Sequence, residues 1–205
     1  VLTENAPENK DNDFTWRDFQ SRNNNELVAI YGNFVNRVVV LTNKYYDGII
    51  PATVEIDDQA IEVLNKINQQ IKLIYKLIEK FKFRESCNEY INIARYGNKY
   101  LTDQEPWKII KNDPEKVKNI MFVALQICSV LSVIGEPFLP FASKKLKEIL
   151  NYNSHNTTWD WDNLYSGKIL INSGVKINKS ELLFEKIEDS EIEYQLEKLN
   201  NSKSA

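Results

Sequence analysis

The chain has 205 residues, 42% of them hydrophobic and 27% charged, a size and composition suited to one globular core with a small appendage. Its formal net charge of −3, from 26 basic and 29 acidic side chains, excludes a protein that coats nucleic acid through bulk positive charge and leaves open only a local basic face. Six glycines and six prolines favour long helices, and two cysteines with a single histidine exclude the usual metal-ligand spacings.

Residues 1–13 read as a linker: VLTENAPENKDND is polar, carries no apolar signal core and holds no compact element. Thr15-Trp16-Arg17-Asp18 follows as a capping-box-like start, with aspartate where Glu or Gln is usual, and opens a short helix. A helix is predicted from about Asn23 to Tyr46. Leu27, Ile30, Tyr31, Phe34, Val38, Leu41 and Tyr45 fall at spacings of three and four, so one stripe faces a core. Asp47-Gly48 ends it, with Pro51 shortly after.

The same period predicts a helix from Asp57 to about Phe81, carried by Ile61, Leu64, Ile67, Ile71, Ile74 and Ile78. Another starts near Phe83 and runs towards Leu101. Thr102 to Pro106 breaks the chain, and Pro106 opens a short turn of helix bearing Trp107. A long helix spans Glu115 to about Ile134. Its most apolar part, Ile120 to Ile134, carries Gln126 and falls short of the about 20 residues a membrane span needs, so it reads as the central core helix of a cytoplasmic protein. Cys87 and Cys128 then read as reduced, buried thiols. Gly135 to Pro140 breaks the chain, and Ala142 to Leu150 makes the last bundle helix. Asn151 to Gly174 is turn-rich, with Trp159 and Trp161, and Glu188 to Leu199 reads as a terminal helix.

The sum is an all-α fold: an antiparallel bundle of about five helices with short connections, an irregular C-terminal tail that wraps it, and a terminal helix. The expected division is a linker over 1–13, the bundle over 14–151, and the wrapping tail with its helix over 152–205.

No catalytic residue stands out. There is no dinucleotide or P-loop glycine pattern, and the carboxylates sit at helical spacing as solvated faces. Gly32-Asn33-Phe34-Val35-Asn36-Arg37 does stand out. Asn33 and Arg37 are four residues apart and so neighbours on one face. With Phe34 at the centre of the core stripe, both fall on one flank, in line with Glu26 and Lys44. An amide beside a guanidinium suits a planar group with mixed edges, such as a nucleobase, or simply an Asn–Arg pair bonded to a neighbouring helix. Trp107 offers either a stacking face for an unpaired base or a plug between helices. Spacing alone leaves both choices open.

Four segments carry a resemblance that covers nearly the whole chain. KDNDFTWRDFQSRNNNELVAIYGNFVNRVVVLTNKYYDG (Lys10 to Gly48) resembles the start of the anticodon-binding domain of bacterial methionyl-tRNA synthetases. YLTDQEPWKIIK (Tyr100 to Lys111), GEPFLPFASKKLKEILN (Gly135 to Asn151) and GVKINKSELLFEKIEDSEIEYQLEKL (Gly174 to Leu199) resemble its tryptophan segment, closing helix and tail.

The resemblance implies that Asn33, Arg37 and Trp107, the last preceded by Pro106, read the CAU anticodon of tRNA(Met). The chemistry agrees: a guanidinium fork meets adjacent acceptors, an amide donates and accepts, and an indole stacks a base for roughly 1–3 kcal/mol. Arg22, Lys44, Lys108 and Lys111 are candidate contacts to the tRNA backbone. The implied partners are the tRNA(Met) anticodon stem-loop and a catalytic domain of the same longer chain, with no membrane and no DNA. In such a protein ATP and magnesium, and zinc where a zinc knuckle exists, belong to the catalytic domain; its HIGH- and KMSKS-type signatures are not in this sequence, and no cofactor is expected here. The longer protein is then a methionine–tRNA ligase, and this chain alone is expected to be inactive. Phe14 and Trp16 lie at the expected junction and should be partly exposed. Two alternatives are the matching bundle of a sister class I synthetase and a helical protein-interaction module.

Overall fold

A computed structural model describes residues 3–4, 13–53 and 56–203, so most of the expected linker lies outside the described residues. Of that stretch, Glu4 is nearly buried and pairs with Arg22. Helix α1 (Trp16–Arg22) opens on Thr15, whose Oγ1 accepts the Asp18 N–H at 3.1 Å. The Asp18 carboxylate binds Arg22 Nε, one turn on, at 2.9 Å.

The single α-helix expected from Asn23 to Tyr46 is two windings. Asn23–Gly32 is π-helical, and α2 (Asn33–Tyr46) is α-helical. The wider winding follows from weak local preference and outside partners. Asn23, Asn24 and Asn25 are poor helix formers. The side chains of Asn23 and Asn24 bind backbone of the C-terminal tail, and Asn98 donates to the Ile30 carbonyl at 2.9 Å. Asp47, in the left-handed region at φ 52°, ends α2.

Helix α3 (Asp58–Glu79) is capped by Asp57, whose carboxylate accepts the Ala60 N–H at 2.8 Å. It runs antiparallel to α4 (Phe83–Gln104), as the Gln59–Gln104 and Gln70–Glu89 side-chain pairs fix. The short α5 (Pro106–Ile109) leads to α6 (Pro114–Ile134), capped by Asp113, and then α7 (Pro140–Ile149). Helices α2, α3, α4 and α7 all pack on α6, giving the expected bundle. At 21 residues α6 is long and apolar enough to cross a membrane, unlike the shorter stretch read from sequence. What makes it the core helix is burial, complete from Ile120 to Ile134.

The tail wraps the bundle through backbone hydrogen bonds. Gln126, buried in α6, accepts the N–H of Leu170 at 3.0 Å and of Ile171 at 3.4 Å. A five-residue helix, α8 (Trp161–Tyr165), had no period long enough to predict it. Beyond it, the residues around Ile50 and Val175 pair backbone to backbone. The strap then runs back along α2 and α1. Asn43 donates to the Asn178 carbonyl, Ser180 to Asn36, and Asn23 to the Glu185 carbonyl. Helix α9 (Asp189–Lys203) finally packs on α1. Phe14 is 49% exposed and Trp16 is not buried, as expected at that edge.

Candidate nucleic-acid interface

Helix α2 meets α4 at one close approach. A Cβ on Gly97 would collide with the Phe34 ring, so the ring lies directly on the α4 backbone. That contact fixes the residues on either side of the core stripe. Asn33 is exposed, and among the described residues no hydrogen bond holds its side-chain amide. Arg37, one turn further, is half-buried and has no carboxylate partner among the described residues.

The second half of the site comes from the end of α4. Glu105 takes a left-handed conformation (φ 43°, ψ 53°), serving at once as the end of α4 and the start of α5. A non-glycine residue held there stores modest strain. Buried Pro106 follows at the first helical position, where its missing N–H costs nothing. Trp107 emerges beside it, 37% exposed. The Arg37 guanidinium carbon lies 5.0 Å from the centre of the Trp107 ring. The fold therefore brings together the guanidinium and the indole that the sequence placed far apart.

The remaining candidates differ in their freedom. Lys44 is exposed, its ammonium 5.6 Å from the Tyr45 ring centre. Lys108 is paired with Glu105 at 2.7 Å, and Lys111 is exposed. Arg22 is held between Asp18 and Glu4. The line expected through Glu26, Asn33, Arg37 and Lys44 is broken by the π winding. Glu26 lies in a small cavity with Arg22, Cys87 and Phe138, where burial and Glu4 push its carboxyl pKa up. Sequence reasoning missed Val40, which is 44% exposed one turn beyond Arg37. It hid in a run of three valines whose other members are buried.

The site offers stacking and hydrogen bonding rather than covalent chemistry. Burial pushes the Cys87 thiol up to about 11 and Cys128 higher still, so neither is a ready thiolate. Among the described residues no group of three or more His, Cys, Asp or Glu side chains could hold a metal ion.

Comparison with known proteins gives a consistent answer. A family profile for the anticodon-binding domain of methionyl tRNA ligase matches residues 50–204, and one for class I tRNA synthetases (M) matches residues 1–39. Asn33 and Arg37 thus fall within one match and Trp107 within the other. The methionine–tRNA ligase of Christiangramia forsetii is 59% identical, over 100% of this chain and 30% of that protein. The Bacteroides fragilis enzyme is 52% identical, over 100% of this chain and 30% of its own. The chain therefore spans about 30% of the length of these relatives. The apo structure of Mycobacterium tuberculosis methionyl-tRNA synthetase superposes with a TM-score of 0.74, over 85% of this chain and 35% of that one. Its methionyl-adenylate complex gives 0.73, over 83% and 33%. At 16% and 17% identity these two share the fold.

Proposed function

Because the chain belongs to the methionyl-tRNA ligase family, through that family's anticodon-binding domain, we propose that it reads the CAU anticodon of tRNA(Met) with Asn33, Arg37 and Trp107. The observation that carries this reading is the Arg37 guanidinium over the exposed Trp107 indole, with no carboxylate to neutralise it among the described residues. A base stacked on the indole brings its Watson–Crick edge to the guanidinium fork, and Asn33 adds a donor and an acceptor one turn away. A wrong base leaves these groups unpaired, and discrimination follows from that loss. Lys44, Lys108 and Lys111 would take backbone phosphates. Arg22 would have to leave its carboxylates to join them.

The longer protein, in this reading, is a cytoplasmic enzyme that attaches methionine to tRNA(Met) using ATP and magnesium. Its chemistry sits in a catalytic domain of the same chain. The described residues do not fit a magnesium or zinc site, since none of their His, Cys, Asp or Glu side chains cluster for one. This chain's part is tRNA selection.

The test is a titration of the chain with a CAU anticodon stem-loop, followed by tryptophan fluorescence. A loop with a changed first anticodon base, and the variants Arg37→Ala and Trp107→Ala, serve as comparisons. Saturable binding that prefers CAU, and weakens in both variants, is the expected result. Equal binding of both loops by the parent chain would sink the reading for the isolated domain.

A further inference from the structure

A cleft of about 220 Å³ lies between the N-terminal half of α3 and the C-terminal half of α4. Its lining is chemically mixed. The side-chain amides of Gln59 and Gln104 bond to each other at 2.7 Å across it. The Tyr96 ring lies on one wall, with the Lys66 ammonium 4.1 Å from its centre. Carboxylates of Glu62 and Asp103 line it as well. Tyr100 also lines it and is only 5% exposed, yet no hydrogen bond holds its hydroxyl among the described residues. A ligand in the cleft can meet that hydroxyl as donor or acceptor.

The cleft is close to the indole. Gln104 is its last residue on α4, and three peptide units separate it from Trp107, a span of at most about 11 Å. That distance is covered by about three stacked nucleotides at roughly 3.4 Å each.

Resting on the anticodon reading above, we propose that this cleft seats a second unpaired nucleobase of the same RNA loop, outside the anticodon triplet and bearing an exocyclic amino group. The carboxylates disfavour a phosphate inside the cleft and accept from an amino group, as acidic side chains do from cytosine N4. The glutamine pair supplies donors and acceptors to a base edge, and Tyr96 supplies a stacking face. Lys66, which covers that face in the free protein, has a flexible stem that can swing to the incoming phosphate. Lys99, paired with Asp103 at 2.7 Å, stands at the rim for the next.

Tyr100→Phe removes only the unpartnered hydroxyl. Binding of the CAU stem-loop should weaken roughly fivefold, the worth of one neutral hydrogen bond, while preference for CAU over a changed first base stays intact. Replacing one loop nucleotide outside the triplet by an abasic one should weaken the parent chain equally and the variant no further. Gln59→Ala should show the same pattern at the same nucleotide. A Tyr100→Phe chain that binds every loop like the parent overturns the proposal, as does a loss that persists unchanged against every abasic loop. A parent chain without CAU preference instead overturns the anticodon reading. The cleft is then still judged by whether the Tyr100→Phe loss vanishes at one abasic position.

Discussion

The Arg37 guanidinium stands 5.0 Å from the centre of the Trp107 ring, so the two groups that would read a base hold each other before any base arrives. At an exposed site such a pair is worth about 0.5–1 kcal/mol, less than the stack that would replace it. Trp107→Ala is expected to weaken stem-loop binding by about 1–3 kcal/mol, and Trp107→Phe by less. Arg37→Lys keeps the charge and loses the fork, so discrimination at the base it reads should fall more than overall affinity. Calorimetric titration with matched and mismatched loops separates the two effects. Full discrimination in Arg37→Lys would rule out a bidentate contact.

Gly97→Ala should be costly despite its small size. The added methyl meets the Phe34 ring, and overpacking of this kind costs about 1–3 kcal/mol. Chemical denaturation would register the loss. Phe34→Leu in the same chain should recover part of it, because the obstruction is the ring. A Gly97→Ala chain as stable as the parent would show that α2 and α4 slide apart freely.

Gln126→Leu tests the tail. The change leaves the buried N–H groups of Leu170 and Ile171 without their shared acceptor, a loss of about 1–3 kcal/mol. Hydrogen exchange should quicken at these two amides while the middle of α4 keeps its protection. Unchanged exchange at both amides would contradict the pinning role.

His155 makes the tail sensitive to pH. Its Nδ1 accepts the Asn172 N–H at 2.9 Å, and Nε2–H meets the Leu150 carbonyl at 3.1 Å, which suits the neutral ring. Burial holds its pKa below the ordinary 6.5, only partly opposed by the Leu150 carbonyl. A pKa lower in the folded than in the unfolded chain stabilises fully above the unfolded value, and the contribution is lost as pH falls through the folded one. Stability should therefore drop as pH falls below about 6.5, with a matching change in fluorescence of Trp159, whose ring centre is 5.0 Å from the imidazole. His155→Phe should flatten that part of the profile. A slope that survives the substitution assigns the effect elsewhere.

The isolated chain should not catalyse methionine-dependent pyrophosphate exchange. An assay at high protein concentration checks this, and a rate above that of buffer would refute it.

Features governed by neighbours in sequence were legible in it. The Thr15 start of α1, the stripe along α3 and the proline before Trp107 all depend on residues within about one turn. The π winding was not, because Leu27, Ile30, Tyr31 and Phe34 satisfy an α-helical period equally well. What accompanies the wider turn is Asn98 on another helix and a tail far along the chain. Gln126 could be seen as an oddity in an apolar helix, but its partners at 170 and 171 could not. At the site, Asn33, Arg37 and Trp107 were singled out by type and spacing and strengthened by resemblance. The approach of Arg37 to Trp107 goes with the close contact of the Phe34 ring on Gly97, which nothing local marks.

The strap also orders events in time. Side-chain hydrogen bonds such as Asn43 to Asn178 and Gln20 to Asp189 join residues 135 and 169 positions apart, against three or four within a helix. Contacts so distant form late in folding, because a long loop must close before they repay its entropy. During synthesis from the N-terminus, α2 and the π segment are complete long before residues 178–187 arrive to cover their flank. Within the bundle and its tail, the helix bearing Asn33 and Arg37 is thus made early and is among the last to acquire its final surroundings.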